Sequence, residues 1–154
     1  MTTPLDESLM RRALDLAREA SARGEVPVGA VVCETASGRI LAEAFNRRES
    51  DKDPAAHAEF LAVREACRVL GDWRLNHCTL AVTLEPCPMC AGLLVNARVG
   101  RVVYGADDPK AGAVRTLYTL LEDPRLNHAC EVHAGLLAEE SAGLLRAFFR
   151  SLRT

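Results

Sequence analysis

The chain has 154 residues, a formal net charge of −2 and six cysteines. That length suits one domain that buries a core without disulfides and is too short for two comfortable ones. With hydrophobic residues at 49% and charged residues at 26%, a disordered or fibrous chain is excluded. Near-neutral charge also means that any grip on phosphates must come from a local basic patch.

No apolar run approaches the roughly 20 residues of a membrane span. The first seven residues lack the basic and apolar regions of a signal peptide. The expected compartment is therefore the cytoplasm, where thiols stay reduced. Cys87 and Cys90 are the one closely spaced pair. Cys33, Cys67, Cys78 and Cys130 read as buried small hydrophobes.

Thr3-Pro4-x-Asp6 reads as a helix start, with Pro4 at the first helical position and Asp6 in the capping-box slot. Leu9, Ala13, Leu16, Ala17 and Ala20 then repeat at helical spacing to about Ala22, and Gly24 is a natural stop. Residues 28–33 and 40–45 flank a turn at Ala36-Ser37-Gly38 and predict an antiparallel hairpin. Residues 47–53 are polar and read as a loop. Asp53 suits a helix cap and Pro54 a first residue, which predicts a helix from Pro54 to about Leu70, closed by Gly71. Residues 79–84 predict a third strand, and 86–96 a helix with Cys87 and Cys90 on one face of its first turn. Residues 99–105 predict a fourth strand, parallel to the third because a helix connects them. The turn-rich stretch 107–127 holds a short helix over 113–121. Residues 131–134 predict a short fifth strand. Residues 137–152 close the chain as an amphipathic helix, with Leu137, Ser141, Leu144, Leu145, Phe148 and Leu152 on one side. No repeat, low-complexity tract or linker interrupts this order. It implies a single α/β domain over residues 1–154, a three-layer α/β/α arrangement around a five-stranded mixed sheet.

The chemistry is concentrated in two stretches, Asp53-Pro54-Ala55-Ala56-His57-Ala58-Glu59 and Glu85-Pro86-Cys87-Pro88-Met89-Cys90. His57, Cys87 and Cys90 are donors that suit zinc. Three protein ligands leave a fourth position for water, which distinguishes catalytic zinc from a closed structural site. Zinc lowers the pKa of bound water from 15.7 to about 7. At about 1.36 kcal/mol per unit, hydroxide becomes available for roughly 12 kcal/mol less. Glu59 stands two positions from the histidine and suits a proton shuttle, taking a proton from the activated water and passing it to a substrate atom. Glutamine there could hold water but not carry the proton.

Duller readings exist for the same residues. A lone Cys-Pro-Met-Cys also suits a thiol redox pair. Cys87 and Cys90 joined by His128 and Cys130, or by His133, would make a closed structural site, leaving Glu59 without a role. Arg146, Arg150 and Arg153 are spaced i, i+4, i+7 on the last helix, so they form one basic stripe. The stripe suits a phosphate track or a solvated helix face.

His-x-Glu followed by Pro-Cys-x-x-Cys resembles the signature of the zinc-dependent nucleobase deaminases. The wider chain resembles the bacterial tRNA-specific adenosine deaminases of the cytidine and deoxycytidylate deaminase superfamily. Glu25-Val26-Pro27-Val28-Gly29-Ala30, Asn46-Arg47, Asp53-Pro54-x-Ala56-His57-Ala58-Glu59 and Thr83-Leu84-Glu85-Pro86-Cys87-x-Met89-Cys90-Ala91-Gly92 follow in family order. Arg98-x-Gly100-Arg101-Val102-Val103-Tyr104-Gly105-Ala106, Leu126-Asn127-His128 and Phe148-Phe149-Arg150 extend the likeness over roughly residues 9 to 153. The resemblance implies a cytidine deaminase-like fold, one zinc ion per subunit and hydrolytic conversion of adenosine to inosine at the wobble position of a tRNA anticodon. It implies His57, Cys87 and Cys90 as zinc ligands and Glu59 as the catalytic proton shuttle. It implies Asn46 and the Ala58 backbone against a flipped base, Asp107, Asp108 and Lys110 beside the anticodon stem-loop, and Phe149 and Arg150 at the entry. It also implies a homodimer.

The chain departs from that pattern in three places. It stops at Thr154 without a long basic tail. Residues 114–118 replace an expected run of small residues. Asp107 adds negative charge where a basic residue would help RNA. These departures bear on affinity and tRNA choice, not on the chemistry. The rival readings are a deaminase of a free nucleobase such as guanine or cytosine, and a zinc-stabilised binding module without catalysis.

Overall fold

The computed structural model describes residues 1–153; Thr154, the last residue of the expected domain, lies outside the described residues. Helix α1 (Pro4–Ala22) begins in the expected capping box. The Thr3 hydroxyl accepts from the Asp6 N–H at 3.2 Å, and the Asp6 carboxylate accepts from the Thr3 N–H at 2.8 Å. Such a cap contributes about 1 kcal/mol. The apolar stripe Leu9, Ala13, Leu16, Ala17 and Ala20 is buried.

Strands β1 (Gly29–Glu34) and β2 (Ile40–Phe45) form the antiparallel hairpin, with an irregularity between Val32 and Cys33. Strands β3 (Cys78–Leu84), β4 (Arg101–Ala106) and β5 (Glu131–His133) complete one sheet in the order β2-β1-β3-β4-β5. The β1–β3 pair is antiparallel, and the β3–β4 and β4–β5 pairs are parallel. Alternation sends Val31, Cys33, Ala81 and Val103 to one face, under α1 and the side of α5 (Ala138–Leu152). It sends Val32, Leu80, Val82, Val102 and Tyr104 to the other, under α3 (Ala58–Leu70) and α4 (Pro88–Asn96). The expected three-layer α/β/α arrangement with a mixed five-stranded sheet is therefore present. The α1 layer lies close on its strand: a Cβ on Gly29 would sit 2.0 Å from the Ala13 carbonyl oxygen, so no side chain fits there.

Several boundaries differ from expectation, each for a local reason. Helix α3 starts at Ala58 rather than Pro54. Asp53 closes a tight turn instead of capping a helix: its carboxylate accepts from the Ala55 N–H at 2.9 Å and its carbonyl from the Ala56 N–H at 3.1 Å. A one-turn helix α2 (Arg48–Asp51) occupies the expected loop. Helix α4 starts at Pro88, so Cys87 is its N-cap residue rather than part of its first turn. Strand β4 starts at Arg101, because the Val99 and Gly100 amides are taken by the carbonyls of Leu94 and Leu75. The helix expected over 113–121 is replaced by turns and a short 3-10 helix at Leu120–Glu122. The amides of Val114, Arg115 and Thr116 donate to the Glu85 carboxylate, which diverts them from helical bonding. In α5, Ser141 and Phe148 are buried while Leu152 is exposed, so the packed face ends near Phe148. Among the described residues no helix is long and apolar enough to cross a membrane.

Candidate active site and metal centre

Two helix N-termini meet at the C-terminal end of β3. His57 is the N-cap residue of α3, extended at φ −78° and ψ 151°, and its ring makes no capping bond. Its Nδ1 instead lies 3.6 Å from Cys87 Sγ and 3.5 Å from Cys90 Sγ. Cys87, at φ −75° and ψ 173°, is the N-cap of α4, and Cys90 sits in that helix's first turn. Pro88 favours this arrangement, because the first helical position needs no N–H.

The three donor atoms lie within 4.8 Å of one another, and they are the one such group among the described residues. Zinc–sulfur bonds of about 2.3 Å and zinc–nitrogen bonds of about 2.0–2.1 Å at a tetrahedral angle separate nitrogen from sulfur by about 3.6 Å. The observed nitrogen–sulfur separations of 3.6 and 3.5 Å match that spacing. The two helix dipoles point positive ends at the thiols. Hydrogen bonding from Cys90 draws the Cys87 thiol down to about 4, against the effect of burial and with further help from His57. Cys90 is pushed the other way by its bond to Cys87 and by burial. The direction of the Cys87 shift favours the thiolate form that metal binding requires. The alternative closed site does not assemble. The His128 Nε2–H donates to the Val99 carbonyl at 2.7 Å, and His133 Nε2 pairs with Glu131 at 2.6 Å.

Glu59, in the first turn of α3, is 4% exposed and lines a pocket of about 210 Å³ beside the donors. Burial pushes its carboxyl up to about 7, although its own backbone N–H and the His57 charge pull the other way. A carboxyl near neutrality suits proton transfer in both directions. Asn46, Ala58 and Asp108 line the same pocket. Asn46 is buried and half-committed: its Nδ2 donates to the Val26 carbonyl at 3.2 Å and its Oδ1 accepts from the Arg48 N–H at 3.1 Å. One N–H and one lone pair remain. The pocket opens into a larger cleft of about 640 Å³ through shared walls at Val26, Arg48, Leu84 and Asp108. Asp107, Lys110, Arg146, Phe149 and Arg153 line that cleft. Asp107 accepts from the Tyr104 hydroxyl at 2.8 Å. Arg150 is exposed on the same helix but lies outside the lining of both cavities.

Sequence reasoning gave no role to Glu25, Arg48 or Glu85. Arg48 lines both cavities. Glu25 is fully buried and accepts from the Glu49 N–H at 3.0 Å, the Ser50 N–H at 2.6 Å and the Ser50 hydroxyl. Glu85 is likewise buried. A signal was present for Glu85, which sits between the apolar Leu84 and Pro86, because a carboxylate in such company needs internal partners.

Comparison with known proteins agrees with this geometry. Residues 3–106 match the cytidine and deoxycytidylate deaminase zinc-binding region. The tRNA-specific adenosine deaminase of Bacillus subtilis is 53% identical over 148 residues, covering 96% of this chain and 91% of that protein. The tRNA-specific adenosine deaminase of Haemophilus influenzae is 45% identical over 148 residues, covering 96% and 85%. A solved structure from studies of A-to-I editing by tRNA:A34 deaminases at the wobble position of transfer RNA superposes with a TM-score of 0.85 at 45% identity, covering 90% of this chain and 99% of that one. A guanine deaminase from Nitrosomonas europaea superposes with a TM-score of 0.83 at 27% identity, covering 96% and 85%. The chain therefore belongs to the cytidine and deoxycytidylate deaminase family, within its tRNA-specific adenosine deaminase branch.

Proposed function

We propose that this protein hydrolyses the wobble adenosine of a tRNA anticodon to inosine, releasing ammonia. The observation that carries the reading is the position of Glu59: a buried carboxyl beside a three-donor metal centre, in a small pocket that opens into a cleft bearing Arg48, Lys110, Arg146 and Arg153. A pocket for one base under a basic cleft suits a single nucleotide presented by an RNA loop. A base in a loop costs less to extract than one in a duplex.

When bound, zinc supplies a water activated for attack on a ring carbon at neutral pH. The rest is the work of this chain. The Glu59 carboxylate receives the proton released in that attack and carries it to N1 of the adenine ring. It then takes the proton of the new C6 hydroxyl and passes it to the departing amine, so the C6 carbonyl of inosine forms as ammonia leaves. The free N–H and lone pair of Asn46 orient the base. The Ala58 N–H, at the first position of α3, has no intrahelical partner and suits a further bond to it. Asp107, Asp108, Lys110 and Phe149 receive the flanking nucleotides, with Arg150 outside the lining of the cleft. The reading also includes a single domain, a homodimer and a cytoplasmic location, in keeping with a tRNA substrate.

The likeness to a guanine deaminase favours one rival, a free-base substrate in the same pocket. The deciding experiment incubates the purified zinc protein with an in vitro transcribed anticodon stem-loop carrying adenosine at the wobble position. Parallel reactions hold free adenosine, guanine and cytosine, with products followed by mass spectrometry. Inosine in the RNA reaction alone is the expected result. Conversion of a free base without RNA product would leave the metal centre and Glu59 in place and overturn the tRNA reading. Light scattering on the same sample checks the dimer.

A further inference from the structure

Residues 107–119 contain no helix or strand, yet their first part lines both cavities: Asp108 and Ala111 border the pocket, and Asp107, Asp108, Pro109 and Lys110 border the outer cleft. Backbone amides in such a segment still need partners. One side chain supplies them. Glu85, 2% exposed, leaves the end of β3 beneath the segment. Its Oε2 accepts from the N–H groups of Val114 at 3.1 Å, Arg115 at 2.8 Å and Thr116 at 3.0 Å. Its Oε1 accepts from the Asp108 N–H at 3.0 Å and from the Thr116 hydroxyl. The segment wraps the carboxylate so closely that a Cβ on Gly112 would lie 2.3 Å from Oε1. Both ends of the stretch are thereby tied to one point, and the residues held between them include Lys110 and Ala111.

We propose that Glu85 is a positioning residue for substrate binding, fixing the 108–116 segment as a preformed wall against which the RNA loop docks. The inference rests on the RNA reading given above. Glu85 itself borders the pocket, but five donors from the segment occupy its two oxygens, so it acts through the backbone it holds, by keeping Asp108 and Ala111 on the pocket and Lys110 on the cleft. A wall ordered before binding removes the cost of ordering it during binding. Glutamine at this position would turn an N–H₂ toward amide donors, so it cannot reproduce the set of bonds.

The test compares wild-type and Glu85→Gln holoenzymes for zinc content, amide exchange, and KM and kcat on the anticodon stem-loop. The expected result is equal zinc, faster exchange at Asp108, Val114, Arg115 and Thr116, and a KM raised about tenfold while kcat falls less than about threefold. A purely structural role would reduce the active fraction, lowering apparent kcat at constant KM, and that outcome overturns the proposal. Thr116 is exposed, so Thr116→Val gives a second reading if the first variant does not fold. It removes one bond to Oε1 and raises KM by a smaller factor. An unchanged KM in Thr116→Val overturns the proposal as well. Should the wild-type enzyme fail to deaminate the stem-loop, the RNA reading falls separately. Amide exchange then decides the anchoring: unchanged protection of the four amides in Glu85→Gln overturns it.

Discussion

His57 Nδ1 lies 3.5 Å from Cys90 Sγ, although the two residues are 33 positions apart in the chain. Each belongs to the N-terminal end of a different helix, and both helices pack on the same face of the sheet. The metal centre is therefore a junction between two elements, and its geometry depends on how α3 and α4 are seated. That seating comes from buried alanines and leucines such as Ala62, Ala66, Ala91 and Leu94, which bring the helices close to the strands.

Loss of one donor should break the centre. Cys87→Ala is expected to purify without stoichiometric zinc, measured by plasma mass spectrometry, and to lose deamination with it. Two remaining protein donors are too few to hold a zinc site of this type. Stoichiometric zinc in that variant would point to a different ligand set.

Glu59→Gln separates metal binding from proton transfer. Glutamine keeps the length and hydrogen-bonding reach of the side chain but cannot carry a proton. Full zinc content is expected with turnover reduced by about 10²–10⁴-fold, the range for loss of a general acid–base group. A variant that deaminated at the wild-type rate would remove Glu59 from the mechanism and restore weight to a binding module.

The Asp6–Arg101 pair should make stability depend on acid. Arg101 Nη2 donates to the Asp6 carboxylate at 2.7 Å, joining the start of α1 to the start of β4. Burial works to raise the Asp6 pKa, but bonds from Arg101 and Thr3 outweigh it and hold the carboxyl below 3.8. A depressed folded-state pKa means that the stabilisation is present above about pH 4 and is lost as the pH falls through the folded value. Asp6→Asn is expected to cost about 3 kcal/mol at neutral pH, toward the lower end for breaking a buried pair because Arg101 keeps Glu131. The gap in denaturation midpoint between variant and wild type should narrow as the pH falls below 3.8. A gap that persisted into strong acid would show that the pair is not its source.

The last helix offers a comparison within one element. Arg146 and Arg153 line the outer cleft and Arg150 does not. Arg146 also meets Glu139 at 3.7 Å, an exposed pair worth little. Alanine at Arg146 or Arg153 is expected to weaken stem-loop binding and to reduce the slope of log affinity against log salt by about 1. Alanine at Arg150 should change it less. Equal losses at all three, read by fluorescence anisotropy across a salt series, would mean that the RNA follows the whole exposed stripe rather than the cleft.

By itself the sequence determined the chemistry and most of the secondary structure. His57, Glu59, Cys87 and Cys90 carry a donor set and a carboxylate whose residue types already limit what the site can do. The capping box at Thr3 and Asp6, the turn at Gly38 and the apolar runs of β1, β3 and β4 are short-range features, set by propensity and spacing, and they are legible for that reason. Only the tertiary structure decided where backbone amides find partners far along the chain. Asp53 looks like a helix cap in sequence but closes a turn. Residues 113–121 look helical but give three amides to Glu85, 29 to 31 positions away. Likewise, i, i+4, i+7 spacing groups three arginines on one stripe, while only Arg146 and Arg153 of them line the cleft with Asp108 and Lys110. Local pattern cannot encode such choices, because they are settled by desolvation and by partners supplied from other elements.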